Sequence, residues 1–388
     1  MNILFVDKRF PTYGGIAVVT KMLSEQFVKD GHRVVVATLM PKLYEGMEDL
    51  IPDGVIVIGL KTPTWNLANI KKLRSIIKDY DIDFIINQWA LHFEVSFILN
   101  QARKGTKAKL ISELHGAANT TKMLISQTEK VRLAKGCLSK AWEQMKLSIF
   151  HAITKFSVRY TYKICDKYVL LSKGFIPELV KYANLKEQSK LGAIGNAIGI
   201  SSNGFSYDMS KKEKRILYVG RMDSYNKRVD RIVEAWENIY KKYPDWSLEL
   251  VGEGPQLPYL KQYVKDKNIG NVRFHPFTKE PPTRHYEAAS ILLLTSDLEG
   301  FGLVIIESMQ FGCVPIVYGS YIAIYDILEN GKDGFITPMP YSKDKTVAYL
   351  ERLIENDELR DKMARSAIEK SKEFKLDKIS QEWYSILK

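Results

Sequence analysis

Apolar and polar positions alternate along this chain in two rhythms. Short, nearly unbroken apolar runs at Ile3–Val6, Arg33–Thr38, Val55–Gly59 and Phe84–Asn87 predict buried strands. Between them, Ile16–Lys29, Asn69–Lys78 and Phe93–Ala102 carry apolar residues at helical spacing. A strand at Lys109–Ser112, a long helical stretch to about Cys165 and a strand at Tyr168–Leu171 follow. The segment GAIGNAIGI, Gly192 to Ile200, closes this run, and polar Ser201 to Lys214 reads as a linker. The rhythm then restarts, with strands at Arg215–Val219, Ser247–Val251, Val272–Phe274, Ile291–Ser296, Val314–Val317 and Phe335–Thr337. Helices are predicted at Val229–Tyr243, up to about Lys267, at Pro282–Ala289, from Leu303, at Tyr325–Glu329, and from about Lys345 to Leu387. Strand and helix in strict alternation imply parallel sheets covered on both faces. The fold class is therefore α/β, with two doubly wound, Rossmann-like halves, and ligands are expected beyond the C-terminal strand ends. The expected divisions are residues 1–200, residues 201–370, and a C-terminal helix, 371–388, packing back towards the N-terminal domain.

Composition changes this picture little. With 388 residues, 45% of them hydrophobic, the chain can fill two ordinary cores. No apolar run approaches the length of a membrane span. The opening MNILFVDKRF reads as a first strand and not as a signal peptide. Cys137, Cys165 and Cys313 are scattered without C-x-x-C spacing, which argues against a cysteine-built zinc site and favours a cytoplasmic setting.

Charge does add something. The whole excess of +12 lies in residues 1–200, which hold 29 Lys and Arg against 17 Asp and Glu; residues 201–388 balance at 28 each. Within the first half, Lys122 to Lys173 holds 11 basic and 3 acidic residues among Leu, Ile, Phe, Trp and Met. A basic amphipathic region of this kind suits an anionic membrane surface. The alternatives are a solvated face of snorkelling lysines and, a distant third, nucleic acid. The expectation is a peripheral protein on the inner membrane face that binds no nucleic acid.

The candidate chemistry centres on Ser296 to Gly319, SDLEGFGLVIIESMQFGCVPIVYG. A buried strand runs into Glu299, a Gly-Phe-Gly turn and, eight positions on, Glu307. A helix starting near Leu303 would aim free N–H groups back at the strand tip, where an anion is stabilised. Glu307, about one turn in, is a good acceptor for vicinal hydroxyls such as those of a ribose. Strand–Gly–helix junctions occur in every parallel α/β domain, so this pair gains meaning only from other motifs.

Those motifs are present in order. Gly14-Gly15 follows the first strand, and Gly31-His32-Arg33-Val34 leads into the second. His115-Gly116 follows a later strand, and Gly220-Arg221 with Lys227 follows the first strand of the second half. Val251-Gly-Glu-Gly-Pro255 and Asn330-Gly331-Lys-Asp-Gly334-Phe335 complete the set. Together the series resembles the retaining enzymes of glycosyltransferase family 4, over nearly the whole chain. The resemblance implies a GT-B fold, with two Rossmann-like domains facing each other across a cleft. It further implies transfer of a sugar from a nucleotide-sugar donor, a UDP-sugar, to a glycan or lipid-linked acceptor in cell-surface polysaccharide or lipopolysaccharide synthesis.

In that resemblance the catalytic group is Arg221, Lys227, Glu299 and His115. Arg221 and Lys227 would neutralise the leaving diphosphate. Glu299 and backbone N–H groups from Phe301 through Gly302 to Leu303 would hold the donor sugar, and His115 would contact it from the first domain. Glu307 would bind ribose, Phe277 and Thr278 would meet the base, and Gly220 and Gly15 would admit the diphosphate. Two departures stand out: Pro276 replaces a usual glycine, and Ser320 to Asp326 lacks the usual glycine pair. Asp81-Ile82-Asp83 has the D-x-D pattern of a metal–diphosphate site but precedes an apolar strand, where strand-leading polar residues are the simpler reading. No cofactor and no metal are expected. A dinucleotide-dependent oxidoreductase would show G-x-G-x-x-G after Ile3–Val6 or Arg215–Val219, and neither has it. A nucleotide-sugar epimerase or a phosphorolytic enzyme on the same fold remains an alternative.

Overall fold

The computed structural model describes residues 1–40 and 46–388, which divide into two compact units, Met1–Ala197 with Leu376–Lys388, and Ile198–Lys375. The first contains β1 (Asn2–Asp7), α1 (Gly15–Lys29), β2 (Arg33–Thr38), β3 (Val55–Gly59), α2 (Leu67–Asp79), β4 (Phe84–Asn87) and α3 (Phe93–Ala102). It continues with β5 (Lys109–Leu114), α4 (Lys122–Leu133), α5 (Cys137–Ile164), β6 (Lys167–Leu170), α6 (Phe175–Ala183) and β7 (Leu191–Ala193). All seven strands are parallel, in the order β3-β2-β1-β4-β5-β6-β7. Ile3 to Val6 and Val34 to Ala37 are fully buried, as expected of central strands with helices on both faces.

The second unit contains β8 (Glu213–Val219), α7 (Val229–Glu237), β9 (Ser247–Val251), α8 (Leu257–Asp266), β10 (Val272–His275), α9 (Thr283–Ala288) and β11 (Ala289–Leu294). After these come α10 (Leu303–Met309), β12 (Val314–Tyr318), α11 (Ile324–Ile327), β13 (Phe335–Thr337), α12 (Lys343–Glu355) and α13 (Asp357–Ser371). Its parallel sheet runs β10-β9-β8-β11-β12-β13. Strand order reverses between β8 and β11, and ligands of doubly wound sheets bind beyond the carboxyl ends at such a reversal. The last helix, α14 (Leu376–Ile386), belongs to the first unit. There Tyr384 donates to the Asp30 carboxylate and sets its ring 5.3 Å from that of Phe27, on α1.

The structure departs from the sequence expectations at several boundaries. The single helix expected up to Cys165 is two, α4 and α5, parted at Gly136, whose φ of +86° lies where a β-carbon is disfavoured. Helix α7 stops at Glu237, six residues short of Tyr243, and residues 238–242 continue it only as turns. Two further elements appear that the sequence expectations did not include: α6, and the three-residue edge strand β7. The polar linker also ends early, because Glu213 and Lys214 already belong to β8, at its exposed start, with Glu213 paired to Ala289.

Candidate functional site

Two loops flank the reversal in the second sheet. The first leaves β8 at Gly220, which has φ +150° and donates its N–H to the Val251 carbonyl at 3.0 Å. A β-carbon on Gly252 would stand 2.0 Å from the Gly220 oxygen, and one on Gly254 2.2 Å from the Met222 oxygen. The turn after β9 therefore needs its glycines: backbone lies directly on backbone. Beyond Gly220, one oxygen of Asp223 accepts from the N–H groups of Tyr225, Asn226 and Lys227, at 3.2, 2.6 and 3.2 Å. This short side chain winds the loop and sets the direction in which Lys227 leaves it.

The second loop leaves β11 and is fastened to the first. Asp297 donates its N–H to the Asn226 carbonyl at 2.7 Å, while its carboxylate accepts from Arg231 at 2.6 Å and Arg228 at 3.2 Å. Thr295 adds a hydroxyl bond to the Arg228 carbonyl at 2.9 Å. So fastened, the loops bring the Lys227 ammonium onto the Glu299 carboxylate in a largely buried ion pair. Arg221 behaves differently. Its side chain is 71% exposed, with Asp223 as its ion-pair carboxylate at 4.0 Å. Of Lys227 and Arg221, the first is thus tightly paired and the second projects into solvent.

Gly302 ends the second loop at φ +94° and caps α10. A β-carbon there would meet Ile305 and the Tyr321 hydroxyl, each at 2.8 Å. Phe301 is buried, its ring 5.8 Å from that of Phe374, which fixes the turn beneath the free N–H groups of Leu303 and its neighbours. Glu307 points inward: its carboxylate is buried, accepts from the Tyr286 hydroxyl at 3.1 Å, and is pushed up to about 7 by loss of water. Just beyond β10, Phe277 is half exposed, and Thr278 donates its hydroxyl to the Glu280 carbonyl at 3.0 Å. All these residues belong to the second unit.

Gly15 and His115 belong to the first. Gly15 opens α1 and is exposed, with nothing within 4 Å of where its β-carbon would be. His115, one residue past β5, bonds through Nε2 to the Gln88 side-chain oxygen and lies 3.7 Å from Glu113. Burial moves both titrations: the imidazole falls to about 3 and Glu113 rises to about 8. At neutral pH the histidine is therefore an uncharged hydrogen-bonding group. Asp81 and Asp83, the D-x-D pair, lie at the opposite end of this sheet. Both bind the Lys107 ammonium at 2.8 Å, and Asp83 also accepts the Asn2 N–H at 2.8 Å, at the start of β4.

Several residues that build the site went unremarked in the sequence: Asp223, Asp297, Arg228 and Arg231, which lock the two loops, Tyr286, which holds Glu307, and Gln88, which holds His115. Asp223 and Asp297 each stand two residues from a singled-out group, Arg221 and Glu299, which is the one signal available without coordinates.

The matches to known proteins agree with this anatomy. Residues 13–200 match the model of Glycosyltransferase Family 4, and residues 202–370 that of Glycosyl transferases group 1. An uncharacterized glycosyltransferase of Haemophilus influenzae is 34% identical over 177 residues, 45% of this chain and 49% of that protein. The chain thus aligns with about half the length of that relative. A Campylobacter jejuni relative is 24% identical over 83% of this chain and 86% of its own. Its name is GalNAc-alpha-(1->4)-GalNAc-alpha-(1->3)-diNAcBac-PP-undecaprenol alpha-1,4-N-acetyl-D-galactosaminyltransferase. Among solved structures, Anabaena HepE in complex with UDP-glucose superposes with a TM-score of 0.72 at 19% identity, over 100% of this chain and 99% of that one. The two α/β units and their structural neighbours define the GT-B fold. This chain belongs to the glycosyltransferases, with a family 4 domain followed by a group 1 domain.

Proposed function

We propose that the protein moves a hexosyl unit from a UDP-sugar to an acceptor hydroxyl with retention of the α configuration. The carrying observation is the Lys227–Glu299 pair, held by locked loops on either side of the strand-order reversal with Arg221 projecting from the same loop. An ammonium and a carboxylate placed together suit a ligand that is anionic at one end and hydroxylated at the other. On donor binding, Lys227 and Arg221 turn to the diphosphate and Glu299 takes the sugar hydroxyls. Glu307 accepts from ribose, the backbone at Phe277 and Thr278 meets the base, and N–H groups at Phe301, Gly302 and Leu303 add to the sugar contacts. Gly220 and Gly15 leave room for the diphosphate. The UDP-glucose held by the Anabaena neighbour supports the choice of base.

The chemistry follows from the charges. As the bond between the anomeric carbon and the phosphate oxygen breaks, negative charge grows on the diphosphate, where a guanidinium and an ammonium stabilise it most. The sugar passes through an oxocarbenium-like state. The acceptor oxygen bonds to the anomeric carbon on the face the phosphate leaves, and its proton goes to a phosphate oxygen. Neutral His115 directs a donor-sugar hydroxyl and takes no proton at working pH. Positive charge comes from the chain itself, so the transfer needs no metal and no cofactor.

The acceptor is a glycan or a lipid-linked glycan met at an anionic membrane surface, and α5 supports this. Its buried face is built of Leu147, Thr154, Ser157, Val158, Thr161 and Tyr162. Its outer face carries Leu138, Trp142, Met145, Ile149, Ile153 and Phe156, with Leu138 90% and Trp142 56% exposed. The steps of three and four residues make one stripe, and it faces solvent, the reverse of a surface helix on a globular core. Lys135, Lys140, Lys146 and Lys155 accompany it, the composition that binds an interface rich in anionic lipid. No helix among the described residues is long and apolar enough to cross a membrane. The reading is of a cytoplasmic protein resting on the inner face of the membrane.

Incubation with a panel of UDP-sugars and lipid-linked acceptors, followed by product NMR, tests the function. An α-linked product supports it. A β-linked product, a trapped covalent glycosyl-enzyme or reduction of NAD⁺ contradicts it.

A further inference from the structure

Away from the donor loops, three elements of the second unit bring together a donor set that the transfer reaction does not use. Glu249 stands in mid-β9, His275 is the last residue of β10, and His285 lies on α9. The register pairs Arg273 with Glu249 and His275 with Val251, so Glu249 and His275 share one sheet face. Helix α9 lays His285 over that face, with the two imidazole centroids 5.0 Å apart. One ligand atom from each of the three residues lies within 4.8 Å of the others.

The surroundings are those of a ligating carboxylate. Glu249 is 1% exposed, and its Oε2 faces the Arg215 guanidinium, which is itself held by Glu213. Arg215 thereby orients the carboxylate, as outer partners orient metal ligands, and leaves Oε1 turned to the imidazoles. His285 Nδ1 bonds to that oxygen. His275 Nε2 lies 3.2 Å from it without a hydrogen bond, and this nitrogen is shut off from water with no hydrogen-bond partner. A buried nitrogen in that state is costly unless something binds it. Ligands around a tetrahedral zinc, at about 2.0–2.1 Å each, stand roughly 3.3 Å apart, which fits the Glu249–His275 separation, whereas His285, hydrogen-bonded to the same oxygen, must draw back to admit an ion.

We propose that Glu249 Oε1, His275 Nε2 and His285 Nδ1 form a binding site for a zinc-class divalent cation. Two imidazoles and one carboxylate select Zn²⁺ or its late-transition neighbours over Mg²⁺, which prefers oxygen ligands and water. Coordination places the remaining ring protons on Nδ1 of His275 and Nε2 of His285. Both rings are partly exposed, so an ion can reach the site from the surface by a small turn of either ring. The site does no chemistry on the sugar. It ties the exit of β10, which continues into Pro276, Phe277 and Thr278, to α9, where Tyr286 holds Glu307. An ion there should steady the base- and ribose-binding parts, and only this consequence rests on the proposed donor site.

The test reads metal first. Whole protein, stripped with a chelator and exchanged into chelator-free buffer, is titrated calorimetrically with Zn²⁺ and separately with Mg²⁺, without any donor. Its metal content after desalting is then measured. One Zn²⁺ per chain, a melting temperature raised by Zn²⁺ and no response to Mg²⁺ are expected. His275→Ala and His285→Ala should each weaken Zn²⁺ by at least about 100-fold, the upper end of what losing even an outer partner costs. His151→Ala, on α5, should bind as wild type does. Absence of stoichiometric Zn²⁺, or binding that survives both histidine changes, overturns the site and leaves Glu249 as a carboxylate neutralised by Arg215. Because no nucleotide is present, an error about the donor leaves this result untouched. In the transfer assay, Zn²⁺ should lower the KM for donor and leave kcat unchanged.

Discussion

The two loops of the second unit and the α4–α5 hairpin of the first solve opposite problems. In the loops, the charged groups are set against one another: Asp223 winds one, Asp297 fastens it to the other, and Lys227 rests on Glu299. The Arg221 guanidinium, by contrast, projects into solvent. In the hairpin the strongest feature is what stays exposed, an apolar stripe from Leu138 to Phe156 on the outside of α5, while hydroxyls face in. Three of those inward hydroxyls are satisfied: Thr161 donates to the Ala90 carbonyl at 3.0 Å, Ser157 to that of Leu91 at 2.7 Å and Thr154 to that of Phe150 at 2.8 Å. Chemistry that must meet a small anion is built from fixed short-range contacts. A surface that must meet something large is built by leaving apolar area uncovered.

The contrast breaks first at Arg221. Arg221→Ala should cut the transfer rate by about 100- to 1,000-fold, the range for losing one donor to the charge that develops in the transition state. Because that side chain is exposed, the melting temperature should stay put. A rate loss accompanied by unfolding would mean that Arg221 is structural. Asp297→Ala should do the reverse. It strips Arg228 and Arg231 of a shared carboxylate and should cost about 1–3 kcal/mol, discounted for partial exposure, seen as a lower urea midpoint. Unchanged stability would show that the loops do not depend on this pin.

On the hairpin side, replacing Trp142 and Ile149 together by Gln should weaken flotation with anionic vesicles by at least about tenfold, as two large side chains lose their apolar burial. Transfer to a short water-soluble acceptor should be untouched. Equal flotation of variant and wild type would return α5 to an ordinary solvated helix. The smallest effect concerns pH. Burial lifts Glu307 to about 7 in the folded chain from an ordinary 4.5, so the folded state holds its proton longer than the unfolded state does. Its contribution is complete below about pH 4.5 and is lost as pH rises to about 7, at most about 3 kcal/mol. Buried Glu113, lifted to about 8, tilts the same way, so the informative quantity is the difference between wild type and Glu307→Gln. That variant should show a flatter melting-temperature profile between pH 5 and 7, and parallel profiles would contradict the assignment.

The uneven legibility of the sequence has the same physical root. Strands β1, β2, β8 and β11 were readable because buried parallel strands are unbroken apolar runs, and Gly220, Gly252 and Gly302 were readable because no other residue tolerates their geometry. Helix α7 was overextended because helical spacing persists into the turns after Glu237. The break between α4 and α5 hung on Gly136 alone. Asp297, Arg228 and Tyr286 act through partners up to 69 residues away in sequence, Arg228 with Asp297 for one, so no local pattern could mark them. Likewise Glu249, His275 and His285 are spread over three elements, and only the register brings them together. The inverted face of α5 shows in the sequence only as a basic, apolar stretch; which side is buried had to come from packing.

The central claim is that the loops after β8 and β11, with Glu307 behind them, bind a uridine diphosphate sugar. Its most direct test is thermal unfolding with UDP, GDP, ADP, dTDP and NAD⁺, on wild type and on Glu307→Gln. A ligand that binds only the folded state raises the melting temperature. A rise with UDP that is reduced in Glu307→Gln is expected. A rise with NAD⁺ alone, or a UDP response that Glu307→Gln leaves intact, would contradict it.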